Sequence, residues 1–293
     1  MKVLITGGSG FIGRHLAAVL LNAGYSVNSV SRKQGTDVTQ WTNVQKLEPV
    51  DIVIHLAGSI GREVEPREHY YVNCVGTFNL LEYSRLHKIR SFIFASSYVY
   101  GTPEYLPVDE RHPTGGKGMY VASKLMAEDL CHRYSKEFDL PVVALRVFNA
   151  YGPFQSGSLL IPTLLSQLRV GQEAVLKDPK PKRDFVFIDD VVDAFGLAVR
   201  HTMPGFHVYN VASGASISVK ELAVEIQKAW EGKVSISFTG EERSHEIQDS
   251  QGSAELITQQ LGWRPKVSLS EGIRLTVESV SYTHLTLPTN REV

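Results

Sequence analysis

The chain has 293 residues, 43% hydrophobic and 21% charged, which suits one large soluble domain or a main domain with a smaller one attached. Its formal net charge of −1 gives no electrostatic reason to expect nucleic acid or an anionic membrane as partner. Two cysteines, Cys74 and Cys131, suggest no disulfide framework and fit a reduced, cytoplasmic setting; no signal peptide is expected, and no apolar run reaches the ~18 residues of a membrane span.

Short apolar runs alternate with helical periods through the first half. Val3-Leu4-Ile5 marks a strand over Lys2–Thr6, followed by an amphipathic helix over 11–23 and a strand over 26–31. Residues 51–56 read as a buried strand, 72–87 as a helix, 92–95 as a strand, 120–138 as a helix and Val142–Val147 as a strand. Strands that are apolar throughout and alternate with helices predict a parallel sheet covered on both faces. Right-handed crossovers make it a doubly wound α/β fold. Beyond Asn149-Ala150-Tyr151-Gly152-Pro153 the rhythm changes, and Pro162, Gly171, Pro179 and Pro181 break the chain into short pieces. A helix at 189–200, a short strand at 208–211 and segments 219–230 and 253–261 predict a mostly helical lobe. The apolar period of 269–277 stops abruptly, so 280–293 is set apart from the fold and the native C-terminus is expected to be missing.

Thr6-Gly7-Gly8-Ser9-Gly10-Phe11-Ile12-Gly13 joins the first strand to the first helix. Gly7 permits a tight turn, Gly10 lets backbone approach a pyrophosphate, and Gly13 lets the helix pack close to the sheet. Phe11 and Ile12 open a helix whose unpaired N–H groups and dipole favour an anion. The second strand ends Ser31-Arg32-Lys33, where an NAD-preferring protein would place an Asp or Glu for the ribose diol. A cationic pair there can accept a 2′-phosphate, so NADP is the expected cofactor and NAD the alternative; a solvated basic turn is the non-functional reading.

Tyr120 and Lys124 stand one helical turn apart on one face. With 12 tyrosines in the chain, about one such spacing arises by chance. Its weight comes from the glycine turn upstream and from Ala95-Ser96-Ser97 at the end of an apolar strand between them. Bringing a tyrosine from pKa 10 to about 7 needs roughly 4 kcal/mol of preferential stabilisation of tyrosinate. A neighbouring ammonium and an oxidised nicotinamide both have the right sign. Lys124 can also hydrogen-bond the nicotinamide ribose, while Tyr120 takes or gives the proton of a substrate hydroxyl and a serine orients the same oxygen. There is no Cys/His array, no His-Glu-x-x-His and no Gly-x-Ser-x-Gly, so neither a metal site nor a hydrolase triad is indicated.

In this order the motifs resemble the extended short-chain dehydrogenase/reductases, the NAD(P)-dependent epimerase/dehydratase branch that modifies nucleotide sugars, over residues 1 to about 279. The resemblance implies a Rossmann dinucleotide-binding and catalytic domain over 1–150, interleaved with a smaller mixed α/β substrate lobe over 151–279. Residues 280–293 resemble a translated sequencing adapter. Counting back four residues from Tyr100 selects Ser96 as the catalytic serine, with Ser97 second. By the same resemblance Asp37 and Val38 meet the adenine, Leu56, Ala57 and Gly58 lie beneath the cofactor, and Asn73 braces the active site. Ser97, Tyr98, Asn149 and Arg183 would face the substrate, Arg183 through nucleotide phosphate; otherwise Arg183 is a surface cation paired with Asp184 or Asp189. Sugar 4,6-dehydratases carry an acidic pair where Ser97 and Tyr98 stand, and fucose-type 3,5-epimerising reductases a Cys where Tyr98 stands, so neither chemistry is expected. The stretch Lys177-Asp178-Pro179-Lys180-Pro181-Lys182 is more basic than in relatives, and Arg243-Ser244-His245-Glu246-Ile247 lacks their Gly-Asp, which weakens Arg243 as a phosphate clamp. Relatives pair the helices at 72–87 and 120–138 into a homodimer. A nucleotide-sugar 4-epimerase and an NADPH-dependent 4-keto-sugar reductase both remain open; a non-catalytic NAD(P)-binding regulator is the contrasting class.

Overall fold

The computed structural model describes residues 1–61, 64–171, 173–230, 234–244 and 246–282. In chain order its strands are β1 (Lys2–Thr6), β2 (Ser26–Val30), β3 (Ile52–His55), β4 (Ser91–Ser97), β5 (Val142–Val147), β6 (Asn149–Tyr151), β7 (Glu173–Leu176), β8 (Lys182–Phe187), β9 (Phe206–Val211), β10 (Ser216–Ser218) and β11 (Ser235–Phe238). The α-helices are α1 (Phe11–Asn22), α2 (Trp41–Val44), α3 (Pro66–His69), α4 (Gly76–Leu86), α5 (Met119–Phe138), α6 (Leu160–Gly171), α7 (Ile188–Arg200), α8 (Val219–Ala229), α9 (Glu255–Leu261) and α10 (Leu269–Tyr282).

Six strands form one parallel sheet in the order β2-β1-β3-β4-β5-β9. Successive side chains of a strand point to opposite faces, so β1 sends Val3 and Ile5 to one core and Leu4 to the other, all fully buried. The first core joins Leu16 and Leu20 of α1 to Val191 and Phe195 of α7 and runs on into the C-terminal half. The second packs Leu80, Tyr83, Ala127 and Tyr134 of α4 and α5 over Phe92, Phe94 and Val142. This two-sided burial makes the sheet doubly wound. The order reverses at β1, because α1 leads one way to β2 and the chain then crosses back to β3. A crevice therefore opens at the carboxyl ends of β1 and β3, the place where such sheets bind ligands.

Two expectations are corrected. The helix foreseen over 72–87 begins earlier: Pro66 starts α3, Tyr70–Val75 follows as a π-turn, and α4 runs on to Leu86. Proline suits a first helical position, where its missing N–H is not needed. The C-terminal lobe is not mostly helical either. It carries a three-stranded sheet, β10-β8-β6, and a parallel pair, β11-β7. These strands are three to six residues long and half exposed, too short to imprint a period of two on the sequence.

After β8 the chain returns to the main sheet, with α7 against α1 and β9 beside β5. The lobe is tied back by Asp184, whose buried carboxylate accepts from the backbone N–H of Ser213, Gly214 and Gly252 and from the Ser213 hydroxyl. Val108 crosses from the other side, exchanging backbone bonds with Gln251 and Ser253. Helix α10 continues to Tyr282 rather than stopping after Val277, and Val280 packs against the first core. Residues 283–293 of the segment set apart, and His245, lie outside the described residues. Among the described residues no helix is long and apolar enough to cross a membrane. Cys74 and Cys131 are buried free thiols.

Candidate active site

The turn between β1 and α1 is built as a cradle. Gly7 has φ +72°, and a Cβ there would lie 2.6 Å from the Ala57 nitrogen. A Cβ on Gly13 would lie 2.4 Å from the Gly7 carbonyl oxygen. Neither position admits a side chain, so the helix end and the β3 loop close on one another as a dinucleotide requires. Gly10 precedes α1 without a side-chain cap, and no acidic residue stands in the first turn. The leading N–H groups at Phe11, Ile12 and Gly13 thus face an open end that favours a pyrophosphate. The residues present fit the cofactor the sequence implies.

Beneath the cradle, His55 is fully buried between two hydroxyls. Its Nδ1 lies 2.7 Å from Thr6 Oγ1 and its Nε2 3.0 Å from Thr77 Oγ1. Thr77 already donates to the Asn73 carbonyl, so the ring donates from Nε2 and accepts at Nδ1. Burial, helped by the charge of Lys124, pushes its pKa down to about 3. His55 is a neutral strut that links β1 to the start of α4 and takes no part as an acid or base near neutrality.

Past β2, Arg32 and Asp37 line a cavity of about 370 Å³. Ser31 donates to Gln34, and Arg32 and Lys33 are exposed in the short turn that follows. Arg32 Nη1 binds Glu68 Oε1 at 2.9 Å. Asp37 turns its Oδ1 onto the Thr39 N–H and hydroxyl, while buried Val38 is held by Asn79 Nδ2 at 2.9 Å from its carbonyl. Leu56, Ala57 and Gly58 follow β3. Asn73, in the π-turn, accepts from Ser59 N–H at 2.9 Å and donates to the Ser59 carbonyl and to Ser123 Oγ, locking that loop to α5. Such π-turns recur at functional sites because they re-aim a side chain out of helical register.

Helix α5 brings Tyr120 and Lys124 to the same crevice. Lys124 is buried, donates to the Ala95 carbonyl at 3.0 Å and lies 4.9 Å from the centre of the Phe94 ring. A Cβ on Gly58 would lie 3.3 Å from its Nζ, so the ammonium borders the loop under the cofactor. Burial lowers its pKa to about 8 against the opposing pull of Glu128. Burial raises that of Tyr120, and a hydrogen bond from Ser97 works the other way. The chain by itself keeps Tyr120 protonated.

The two serines at the end of β4 take different partners. Ser96 is buried and donates to Glu128, whereas Ser97 is the residue whose side chain meets Tyr120. Neighbouring residues of a strand face opposite ways, so only one of the two can look toward the tyrosine.

Ser96 belongs to a network that the sequence reading missed. Arg146 of β5 donates from Nε and Nη2 to both oxygens of Glu128, at 3.0 and 2.7 Å, with both side chains under a tenth exposed. Burial works against the guanidinium, but the Glu128 bonds outweigh it and hold its pKa above the ordinary value. Arg146 also donates to the Tyr100 hydroxyl, which donates on to Asn210. One turn beyond Lys124 on the same helical face, Glu128 was open to discovery by period alone. His69 was not: it is buried, its ring lies 5.7 Å from that of Tyr120, and its Nε2 is 3.1 Å from the Gly61 carbonyl.

On the substrate side, Tyr98 donates to the Gly101 carbonyl at 2.7 Å, and burial pushes its pKa to about 12 with Arg183 opposing. Asn149 donates to the Asp184 carbonyl, bracing β6 to β8. Arg183 pairs with neither Asp184 nor Asp189 but binds Glu246 and the carbonyls of Ile247 and Lys182. Lys177 and Lys180 pair with Glu241 and Glu242, so the basic stretch is balanced at its surface.

A glycine cradle at a sheet switch point, with a helical Tyr/Lys pair and a strand-end serine beside it, defines an NAD(P)-dependent enzyme of the short-chain dehydrogenase class. Residues 3–212 match the model of the NAD dependent epimerase/dehydratase family, and the chain belongs to that family. It is 31% identical to the UDP-glucose 4-epimerase of Bos taurus over 92% of this chain and 93% of that protein. Among solved structures, it resembles the Thermus thermophilus UDP-glucose 4-epimerase complex with NAD, with 30% identity, a TM-score of 0.87, and 96% of this chain and 99% of that one covered. It is equally close in shape to RMD from Pseudomonas aeruginosa complexed with NADPH, with 27% identity, a TM-score of 0.87 and the same coverage, 96% and 99%.

Proposed function

We propose that the enzyme interconverts nucleotide sugars epimeric at C4, with Tyr120, Lys124 and Ser97 serving the reacting hydroxyl. The observation that carries this reading is the α5 pair Tyr120 and Lys124, with the buried Lys124 ammonium held on the Ala95 carbonyl at the end of β4 and bordering Gly58 beside the glycine cradle. The dinucleotide, held by Gly7, Gly10, Phe11, Ile12 and Gly13, supplies the hydride acceptor and donor. Tyr120 accepts the C4 hydroxyl proton as hydride leaves that carbon and returns it when hydride comes back. Ser97 bonds the same oxygen, and Lys124 favours tyrosinate and orients the ribose. Burial disfavours tyrosinate, so the first reading needs the Lys124 charge to make Tyr120 a base, whereas a second reading, a 4-keto-sugar reductase, uses the protonated phenol as the donor. Resemblance to 4-epimerases in sequence favours the first. Tyr98, Asn149 and Arg183 are the proposed nucleotide-sugar side of the site.

The two readings separate in one experiment. UDP-glucose converted to its C4 epimer at constant NAD(P)H absorbance supports epimerisation. Stoichiometric NADPH consumption with a nucleotide 4-keto-sugar, and no epimerisation, supports the reductase. Tyr120→Phe should lose turnover and keep dinucleotide binding; a variant that turns over like wild type removes Tyr120 from the reaction. The exposed apolar side chains on α4 and α5, Phe78, Leu86, Met126 and Phe138, further suggest a homodimer closed by these helices.

A further inference from the structure

We propose that the Arg32–Glu68 ion pair sets the choice between the two nicotinamide dinucleotides, with Glu68 acting as a positioning residue that holds Arg32 away from the 2′ position. The inference rests on the cofactor reading above. It starts from where the pair sits. Arg32 follows β2 at the switch point, the place the adenosine ribose takes in a doubly wound sheet. No carboxylate ends β2 itself. Glu68 reaches in from α3, 36 residues along the chain, and binds the guanidinium across the rim of the cavity they share with Asp37 and Arg67. Asp37 accepts from Thr39 through Oδ1 and adds a charge weaker than that of Glu68 toward Arg32, while Arg67 lies over the Tyr71 ring at 5.2 Å. The cation at the ribose edge is thus already matched by a carboxylate from another segment.

The two cofactors differ at this edge by one phosphate ester carrying about −1.5 to −2 charge. To bind it in the planar, two-pronged manner that suits a guanidinium, Arg32 must give up Glu68. A dinucleotide with a ribose diol makes no such demand and leaves the pair intact. Glu68 therefore moderates a preference that Arg32 and Lys33 alone would push toward the phosphorylated cofactor. The side chains are 71% and 42% exposed, so solvent screens the pair and the effect is modest.

The test measures binding of NADH and NADPH to the full chain at low ionic strength, for wild type, Glu68→Gln, Arg32→Gln and the double variant. Glu68→Gln should raise the ratio Kd(NADH)/Kd(NADPH) by about threefold, the scale of an exposed ion pair. Arg32→Gln should lower it by about tenfold, the scale of a lost charge-assisted hydrogen bond, and adding Glu68→Gln to that background should change it no further, since Glu68 acts through Arg32. A ratio indifferent to Glu68→Gln, or a Glu68 effect of the same size without Arg32, overturns the proposal. Binding of neither dinucleotide to wild type overturns the cofactor reading, and the proposal with it.

Discussion

Replacing each serine at the end of β4 in turn separates a chemical role from a structural one. Ser97→Ala removes the hydrogen bond that meets Tyr120 and leaves the buried network untouched. Donors aimed at an oxygen where charge develops are worth about 10²-fold in rate, or ~2.7 kcal/mol. The variant should lose about that much kcat with little change in melting temperature. Ser96→Ala instead takes one of three hydrogen bonds from the buried Glu128 carboxylate, the other two coming from Arg146. A bond to a charged group contributes roughly 1.5–3 kcal/mol. At about 2–4 °C per kcal/mol for a chain of this class, the melting temperature should drop by several degrees while kcat stays within about threefold. Steady-state kinetics on the epimerisation substrate and a thermal scan on the same preparations read both quantities. A Ser96→Ala enzyme that is inactive at wild-type stability, beside an active Ser97→Ala enzyme, would refute the register-based assignment.

Two further outcomes follow from the same site. Glu128→Gln leaves Arg146 buried opposite a neutral amide, and breaking a buried pair on one side costs about 3–5 kcal/mol, so a stability loss of that order in denaturant unfolding is expected; a loss under ~1 kcal/mol would mean that the pair is not closed to water. Burial depresses the Lys124 pKa from 10.5 to about 8, so its ammonium is lost as pH rises through 8, and kcat/KM should fall above that pH because tyrosinate loses its support. The linkage sign runs oppositely for stability: a cation with a lowered folded pKa favours the native state above its unfolded pKa and ceases to do so as pH falls through about 8. Lys124→Met should therefore gain melting temperature relative to wild type more at pH 7 than at pH 10, and activity that climbs steadily to pH 10 in the wild type would exclude the ammonium from the rate.

The main sheet was legible because its signal is local. Fully apolar runs such as Val3-Leu4-Ile5 and Val142-Val143-Ala144-Leu145 can be buried only between two helical layers, and a glycine turn between strand and helix admits few geometries. The Tyr120/Lys124 pair was visible for the same reason, being one helical turn apart. Sequence alone thus determined the doubly wound class, the glycine cradle and the Tyr120/Lys124 pair that the proposed reaction uses. Tertiary structure decided what depends on which face a residue takes or on partners far along the chain. The register of β4 turned Ser97 toward Tyr120 and Ser96 toward Glu128. Glu128 met Arg146 across 18 residues, Arg32 met Glu68 across 36, and Arg183 met Glu246 rather than a neighbouring aspartate. The short strands β6, β7, β8, β10 and β11 escaped notice because pairing with distant segments, rather than their own periodicity, holds them in place.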